Sequence, residues 1–320
     1  MQFLYFLEGL RNPVFDFFFS TVTHIGEETF FLAFAILFFW CINKREGYYI
    51  LVTGLIGTVI NQALKLACRI ERPWVRDPSF KPIESAIEEA TGYSFPSGHT
   101  QNVAGTFGAI AMFTKRNAVN IISIFIIALV SLSRMYLGVH TPYDVGASLC
   151  IAAMLVVLLH PIFKSEENFN KYMPWLVVIS FLVSLGLLLY ANLISGEGID
   201  SANLESARKN SATLFGCMIG LCLVYPLDRF FIKFKTSAAW YIQIIKLSVG
   251  LSVVLLIKSG LKAPLEFLIP NVYVARSIRY FIIVAFAGAL YPLSFNFFSN
   301  IRISCLDKLT DKTVSLLRKK

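Results

Sequence analysis

Apolar residues in this chain gather into long runs separated by short polar segments, and many of the runs reach or approach the roughly 20 residues that cross a bilayer. Nine runs read as spanning helices, with approximate limits 28–43, 48–68, 99–114, 119–137, 142–163, 174–195, 211–227, 239–258 and 277–299. The first and third are short and need their flanks to reach full length. The predicted fold class is all-α, a polytopic membrane helical bundle. Ahead of the first run, FLYFLEGLRNPVFDFFFS reads as an amphipathic helix at the interface, broken near Asn12-Pro13. Glu8, Arg11 and Asp16 interrupt its apolar residues and no basic segment precedes them, which is unlike a cleaved signal.

Composition agrees with the pattern. Of the 320 residues, 56% are hydrophobic and 15% charged, where a soluble domain carries about 25% charged residues. The net charge of +9 matters through its placement. Lys44, Arg45, Lys115, Arg116, Lys164, Lys171, Arg229, Lys233, Lys235 and the tail IRISCLDKLTDKTVSLLRKK sit between or after apolar runs. By the positive-inside rule these segments are cytoplasmic. With nine spans the N-terminus is then outside and the C-terminus cytoplasmic. The charge distribution fits a bilayer and argues against nucleic acid as a partner.

Six cysteines stand singly, mostly within apolar stretches, and no CxxC pair or His-rich tract points to zinc or redox chemistry. The longest outer loop runs from about Arg69 to Gly98 and holds four prolines and the acidic stretch ESAIEEATG. Loops of that length are more often functional than simple connectors. A second polar outer loop is GEGIDSANLESARKN. The organisation read from these breaks is an interfacial segment at 1–27, a catalytic core at 28–163, and further spans with a basic tail at 164–320.

Three short segments concentrate unusual residues at the outer ends of apolar helices: KLACRIERP from Lys65, YSFPSGH from Tyr93 and SRMYLGVHTPYD from Ser133. Each feature has a plain reading. Lys65 can snorkel, Arg72-Pro73 can start a loop, Ser97 can cap a helix, and Thr141 to Asp144 suits a capping box with Pro142 at the first helical position. Together they read differently. Lys65, Arg72 and Arg134 place three positive charges near one spot, and a tetrahedral phosphate is the anion that joins them. The Ser97-Gly98-His99 turn opens a helix, so free backbone N–H groups add donors, and Gly98 lets the backbone approach the oxygens. No carboxylate cluster suits a metal, so neither metal nor cofactor is expected, and EDTA should matter little.

A nucleophile and an acid complete the chemistry. Asp144 lies four residues after His140, on the same side of a helical turn, and can hold one imidazole nitrogen while the other attacks phosphorus. His99 is placed to protonate the leaving alkoxide and then to accept a proton from water. The cationic cradle stabilises charge on the equatorial oxygens in the transition state.

Lys65 to Arg72-Pro73, Pro96-Ser97-Gly98-His99, and Ser133-Arg134 with His140 and Asp144 resemble the three motifs of the type 2 phosphatidic acid phosphatase superfamily, in that family's order, over about residues 28–163. The resemblance implies phosphate binding by Lys65, Arg72, Ser97, Gly98 and Arg134. It implies His140 as nucleophile, Asp144 as its orienting carboxylate and His99 as general acid. Weaker likenesses point to sphingosine-phosphate phosphatases, through Gly26 to Phe31 and the Gly-Tyr-Ser-Phe lead into the second motif, and to glucose-6-phosphatase, through the nine-span layout. The implied function is a metal-independent membrane lipid phosphate or isoprenyl diphosphate phosphatase with a phosphohistidine intermediate. Its site faces away from the cytosol, in the plasma or inner membrane if the source is bacterial. The substrate would be a lipid phosphate; oligomeric state is left open.

Competing readings keep some of these features. A phosphotransferase would use the same intermediate with a lipid or sugar hydroxyl as acceptor. A transporter draws support from Asn61, Gln62 and Lys246 inside spans, because ionisable groups there are functional candidates. A vanadate-dependent haloperoxidase uses similar oxyanion-binding motifs, but those relatives are soluble, and the membrane spans of this chain argue against that reading.

Overall fold

The computed structural model describes residues 1–301 and is helical throughout, with no strand among the described residues. Two short helices, α1 (Gln2–Gly9) and α2 (Pro13–Thr23), lead into α3 (Glu28–Leu37) and the long α4 (Lys44–Cys68). The loop that follows contains the single-turn helices α5 (Pro73–Arg76) and α6 (Glu84–Ile87). Then come α7 (Gly98–Thr114), α8 (Asn117–Tyr136) and α9 (Pro142–Phe163). The second half holds α10 (Glu166–Leu193), α11 (Ser201–Leu227), α12 (Trp240–Gly260), α13 (Lys262–Leu268), α14 (Val272–Ala285) and α15 (Phe295–Asn300).

Local sequence sets the helix starts. Asn12 accepts hydrogen bonds from the backbone N–H groups of Val14 and Phe15, with Pro13 pre-set for the first turn, so the break expected near Asn12-Pro13 is present. Asn43, Ser165, Asp200 and Asn271 cap α4, α10, α11 and α14 in the same way.

By length and composition seven helices could cross a membrane, or eight if Pro13–Gly26 and Glu28–Ile42, bent by 52°, form one span. The expectation of nine runs ahead of this number at two places. The run at 28–43 falls on the bent pair, and the run at 99–114 falls on α7, which has 17 residues. At 1.5 Å per residue α7 is about 26 Å long, short of a full hydrocarbon core. It packs among α4, α8 and α9 as the centre of the bundle, so its apolar residues serve the core. The basic tail from 302 onward, Cys305 and the C-terminus lie outside the described residues.

In the core, Trp40 is fully buried and its indole N–H donates to the Ala287 carbonyl at 2.8 Å. Lys246, 1% exposed, donates to the Trp40 carbonyl at 2.8 Å, with its ammonium 4.4 Å from the Phe295 ring centroid. This lysine therefore ties α12 to the end of α3 and neither snorkels nor lines a pathway. α11 packs against α10 and α14, and also against α4, which brings the second half of the chain to the wall of the first.

Candidate active site

At one end of the bundle a cavity of 380 Å³ gathers Lys65, Arg72, Gly98, His99, Arg134 and His140. α4 carries Lys65 on its last turn, where a left-handed Arg69 (φ 51°) ends the helix and sends the chain back over the site. Lys65 is buried and donates to the Tyr93 carbonyl, so it does not reach out to the interface. Arg72 begins α5 and is held on three sides. Its Nε donates to the Gly92 carbonyl at 3.1 Å, Nη2 to Thr91 at 2.8 Å, and Nη1 to Val139 at 3.0 Å. Gly92 (φ +69°) supplies the turn that points these carbonyls at the guanidinium.

Arg72 Nη1 also lies 3.1 Å from His140 Nε2. Arginine only donates, so Nε2 presents its lone pair and the proton of the neutral imidazole resides on Nδ1. Nδ1 faces Asp144 Oδ2 at 3.6 Å and makes no hydrogen bond within the protein. The expected direct hold by Asp144 is thus an electrostatic contact at this distance. The carboxylate instead accepts from Ser94 Oγ and the Thr141 backbone N–H, each at 2.7 Å. The plain reading of Thr141 to Asp144 is correct, because a capping box is present with Pro142 in the first turn. Burial pushes the His140 imidazole well below its usual range, and Arg72, Lys65 and Arg134 push in the same direction. A neutral imidazole is the nucleophilic form.

Ser97 caps α7, accepting from the Thr100 N–H at 3.4 Å, while its own N–H donates to the Asp144 carbonyl at 3.2 Å. Ser148 Oγ bridges the Ser97 and Asp144 carbonyls at 2.8 and 3.0 Å, so the second and third motifs are locked together behind the cavity. Ser97 and Asp144 therefore support the site from behind, and Gly98 and His99 face it. His99 Nε2 has no hydrogen-bond partner in the protein. Arg134, 1% exposed, donates from Nη1 to Thr23 Oγ1 at 2.6 Å, and its Nε has no partner.

Several contributors carry no motif signature. Ser94 stands inside the second segment but its role depends on a partner fifty residues away. Asn61 and Gln101 line the cavity, are both 1% exposed, and have carboxamides without partners in the protein. Asn61 is four residues before Lys65, one helical turn along the same face of α4. Asn210, Thr213 and Cys217 of α11 and Lys258 of α12 also line the cavity, which gives the region after 174 a role the motifs did not assign. At the mouth, His24, Glu27 and Glu89 place one ligand atom each within 4.8 Å of one another. The expectation of no carboxylate cluster suited to a metal meets one geometric candidate here. The group is partly exposed, and His24 pairs with Glu27 and lies 3.9 Å from Glu89.

The family described as PAP2 superfamily matches residues 46–167, and that described as PAP2 superfamily phosphatase, transmembrane extension, matches residues 210–302. Similar proteins include sphingosine-1-phosphate phosphatase 1 of Mus musculus, 28% identical over 176 residues, which is 52% of this chain and 39% of that protein. Phosphatidylglycerophosphatase B of Bacillus subtilis is 28% identical over 177 residues, 51% of this chain and 82% of that protein. Undecaprenyl-diphosphatase BcrC of Bacillus subtilis is 29% identical over 113 residues, 35% of this chain and 55% of that protein. The chain thus spans about two-fifths of the length of the mouse relative. No solved structure matches.

Proposed function

The chain belongs to the PAP2 superfamily, and from that premise we propose that it is an integral membrane phosphatase acting on lipid phosphate esters through a phosphohistidine on His140. The observation that carries the proposal is the pairing of Arg72 Nη1 with His140 Nε2 at 3.1 Å in a cavity that also holds Lys65, Arg134 and His99. A phosphate seated there meets the nucleophile and its cationic cradle at once.

In the first step His140 Nε2 attacks phosphorus, the P–O bond to the alcohol breaks, and His99 gives a proton to the departing oxygen. Asp144, 3.6 Å from Nδ1, offsets the positive charge of the phosphorylated ring. In the second step His99 takes a proton from water as its oxygen attacks phosphorus, the P–N bond breaks, and inorganic phosphate leaves. Lys65, Arg72, Arg134 and the backbone N–H groups opening α7 stabilise the equatorial oxygens in both steps. No step requires a metal, so EDTA leaves the rate unchanged; an absolute metal requirement would overturn this mechanism.

The bilayer arrangement belongs to the same reading. α1 and α2 lie in the interface, α7 completes the membrane bundle, the N-terminus and the site face outward, and the C-terminus is cytoplasmic. A lipid phosphate then enters sideways with its tail in the bilayer. The relatives' names supply the substrate panel: sphingosine phosphate, phosphatidylglycerophosphate and undecaprenyl diphosphate, with phosphatidic acid added.

The deciding experiment measures inorganic phosphate released from this panel in detergent by wild type and His140→Ala. Release by wild type alone supports the reading, and the preferred ester names the substrate. A phosphorylated alcohol formed without free phosphate would make the chain a phosphotransferase.

A further inference from the structure

Beside the catalytic cavity, α12, α13 and α14 enclose an open pocket of 500 Å³ lined by Lys258, Lys262, Arg276 and Arg279 together with Tyr280 and Leu255. None of these four cations forms an ion pair among the described residues, although ion pairs occur elsewhere. Arg279 is the unusual member. Only 6% of it is exposed, its Nε has no hydrogen-bond partner, and its guanidinium lies 5.6 Å from the Tyr280 ring centroid. A buried guanidinium with an unpaired N–H, in a pocket lined by three further positive charges, is costly unless an anion joins it.

The remaining groups are held in ways that leave this face cationic. Arg276 Nε donates to Thr213 Oγ1 at 2.6 Å, and Lys258 Nζ to Thr29 Oγ1 at 3.1 Å, both neutral oxygens. Thr213 and Thr29 line the catalytic cavity, and Lys258 lines both spaces. Leu255, which lines the pocket, is exposed, as are Leu256 on α12 and Phe267 and Leu268 on α13. Cations in a pocket that shares Lys258 with the catalytic cavity, with exposed aliphatic and aromatic side chains on the same helices, match an anionic head group with acyl chains beside it.

We propose that Lys258, Lys262, Arg276 and Arg279 form a second binding site, separate from the catalytic cavity, for the phosphate head group of a lipid. Arginine forks on α14 grip the phosphate oxygens and the two lysines act as point charges at its rim. Two sources share this chemistry: a resident anionic phosphodiester lipid, and a phosphomonoester substrate waiting beside the cavity that Lys258 joins.

The test uses the full chain in neutral detergent, with binding read by native mass spectrometry and by the shift in melting temperature. The probes are phosphatidylglycerol, phosphatidylcholine as a zwitterionic control, hexadecyl phosphate, and inorganic vanadate as the probe of the catalytic cavity. The variants are Arg279→Gln and Lys262→Glu; Lys262 is exposed, so its variant carries the test should the buried change fail to fold. Wild type should bind phosphatidylglycerol at least tenfold more tightly than phosphatidylcholine, and less tightly as salt rises. Both variants should lose at least tenfold in that affinity while vanadate binding stays within twofold.

Selective loss of phosphatidylglycerol supports a resident lipid. In a His140→Ala background, which cannot turn the ester over, two hexadecyl phosphates per chain, falling to one when Arg279→Gln or Lys262→Glu is added, with no phosphatidylglycerol bound, support a waiting substrate. Equal lipid binding by wild type and variants, or none by wild type, overturns the site. Binding is read without turnover, so a chain that holds the lipid yet releases no phosphate would remove the proposed function and leave this site standing.

Discussion

Thr23 Oγ1 accepts a 2.6 Å hydrogen bond from Arg134 Nη1, which fastens the end of the N-terminal segment to the proposed phosphate cradle. The same segment is tied at other points: Arg11 Nη2 donates to the Tyr136 carbonyl at 3.0 Å and Tyr5 OH to Asp77 Oδ2 at 2.8 Å. Thr23 is therefore a positioning residue for Arg134. A hydrogen bond to a charged group contributes about 1.5–3 kcal/mol. Thr23→Val should lower kcat/KM for a lipid phosphate by about tenfold, the fold-change of 1.4 kcal/mol. Thr23→Ser should restore most of the activity. Steady-state kinetics on the three proteins decide this, and wild-type values for Thr23→Val would show that Arg134 holds its place unaided.

Asp144 serves two neighbours at once, and its variants should separate the two duties. Ser94→Ala removes one of the two 2.7 Å donors to Oδ2 and leaves the cap contact to Thr141 intact. Turnover should fall by about tenfold with little loss of stability, since one such contact contributes on the order of 1 kcal/mol. Asp144→Asn weakens the capping box as well, and loss of a cap costs about 1 kcal/mol. It should lower both turnover and melting temperature while keeping vanadate affinity, because the cations proposed to bind phosphate are untouched. Rapid quench followed by an assay for acid-labile phosphate would follow formation of the phosphoenzyme. Equal phosphoenzyme rates in wild type and Asp144→Asn would remove Asp144 from the chemistry.

Legibility in the sequence followed the range of the interactions. Helix caps are local, and Asn12, Ser97 and Thr141 with Asp144 mark their helix starts within three residues. The motif residues Lys65, Arg72, His99, Arg134 and His140 sit at or beside helix ends, so their meeting in one cavity could be anticipated from charge and spacing. Contacts between distant elements left no such mark. Thr23 reaches Arg134 across 111 positions, and Asn210, Thr213 and Lys258 enter the cavity from helices outside the motif-bearing region. The span count goes beyond what length and composition support at α7 for a related reason. A short apolar run at the centre of a bundle has the same composition as a span, and only its neighbours α4, α8 and α9 reveal its packing role.

The lowered pKa of His140 gives stability a defined pH dependence. The imidazole is 2% exposed and faces three cations, so the folded site holds it neutral well below the unfolded value of about 6.5. Between the folded value and about 6.5 the unfolded chain binds a proton that the folded site refuses, so stability falls as pH drops below about 6.5 and is level above it. One such group contributes at most about 1.4 kcal/mol per pH unit. The melting temperature in detergent should therefore fall less steeply between pH 6.5 and 5.0 in His140→Gln than in wild type. Vanadate should also flatten the wild-type curve by supplying negative charge beside the ring. Parallel curves for the two proteins would mean that His140 is not what resists the proton.

Gly26 ends the turn before α3 with its backbone pressed against the general-acid candidate. A Cβ at this position would lie 2.9 Å from His99 Cβ, 3.0 Å from the His99 carbonyl oxygen and 3.0 Å from Val130 Cγ1. Two of the three are backbone or backbone-proximal atoms of α7, so Gly26→Ala must displace the turn, His99, or both. Overpacking of this kind costs about 1–3 kcal/mol, which a folded variant can survive. Its larger effect should fall on proton transfer, because a shift near 1 Å in a catalytic group can cost about a hundredfold in rate. An alkyl phosphate needs its leaving oxygen protonated, whereas an aryl phosphate with an acidic phenol departs largely unaided. Gly26→Ala should therefore lower kcat for hexadecyl phosphate far more than for p-nitrophenyl phosphate, as His99→Ala should. Equal losses on both esters would place the damage in phosphate binding or nucleophilic attack, and His99 would keep its position despite the added methyl group.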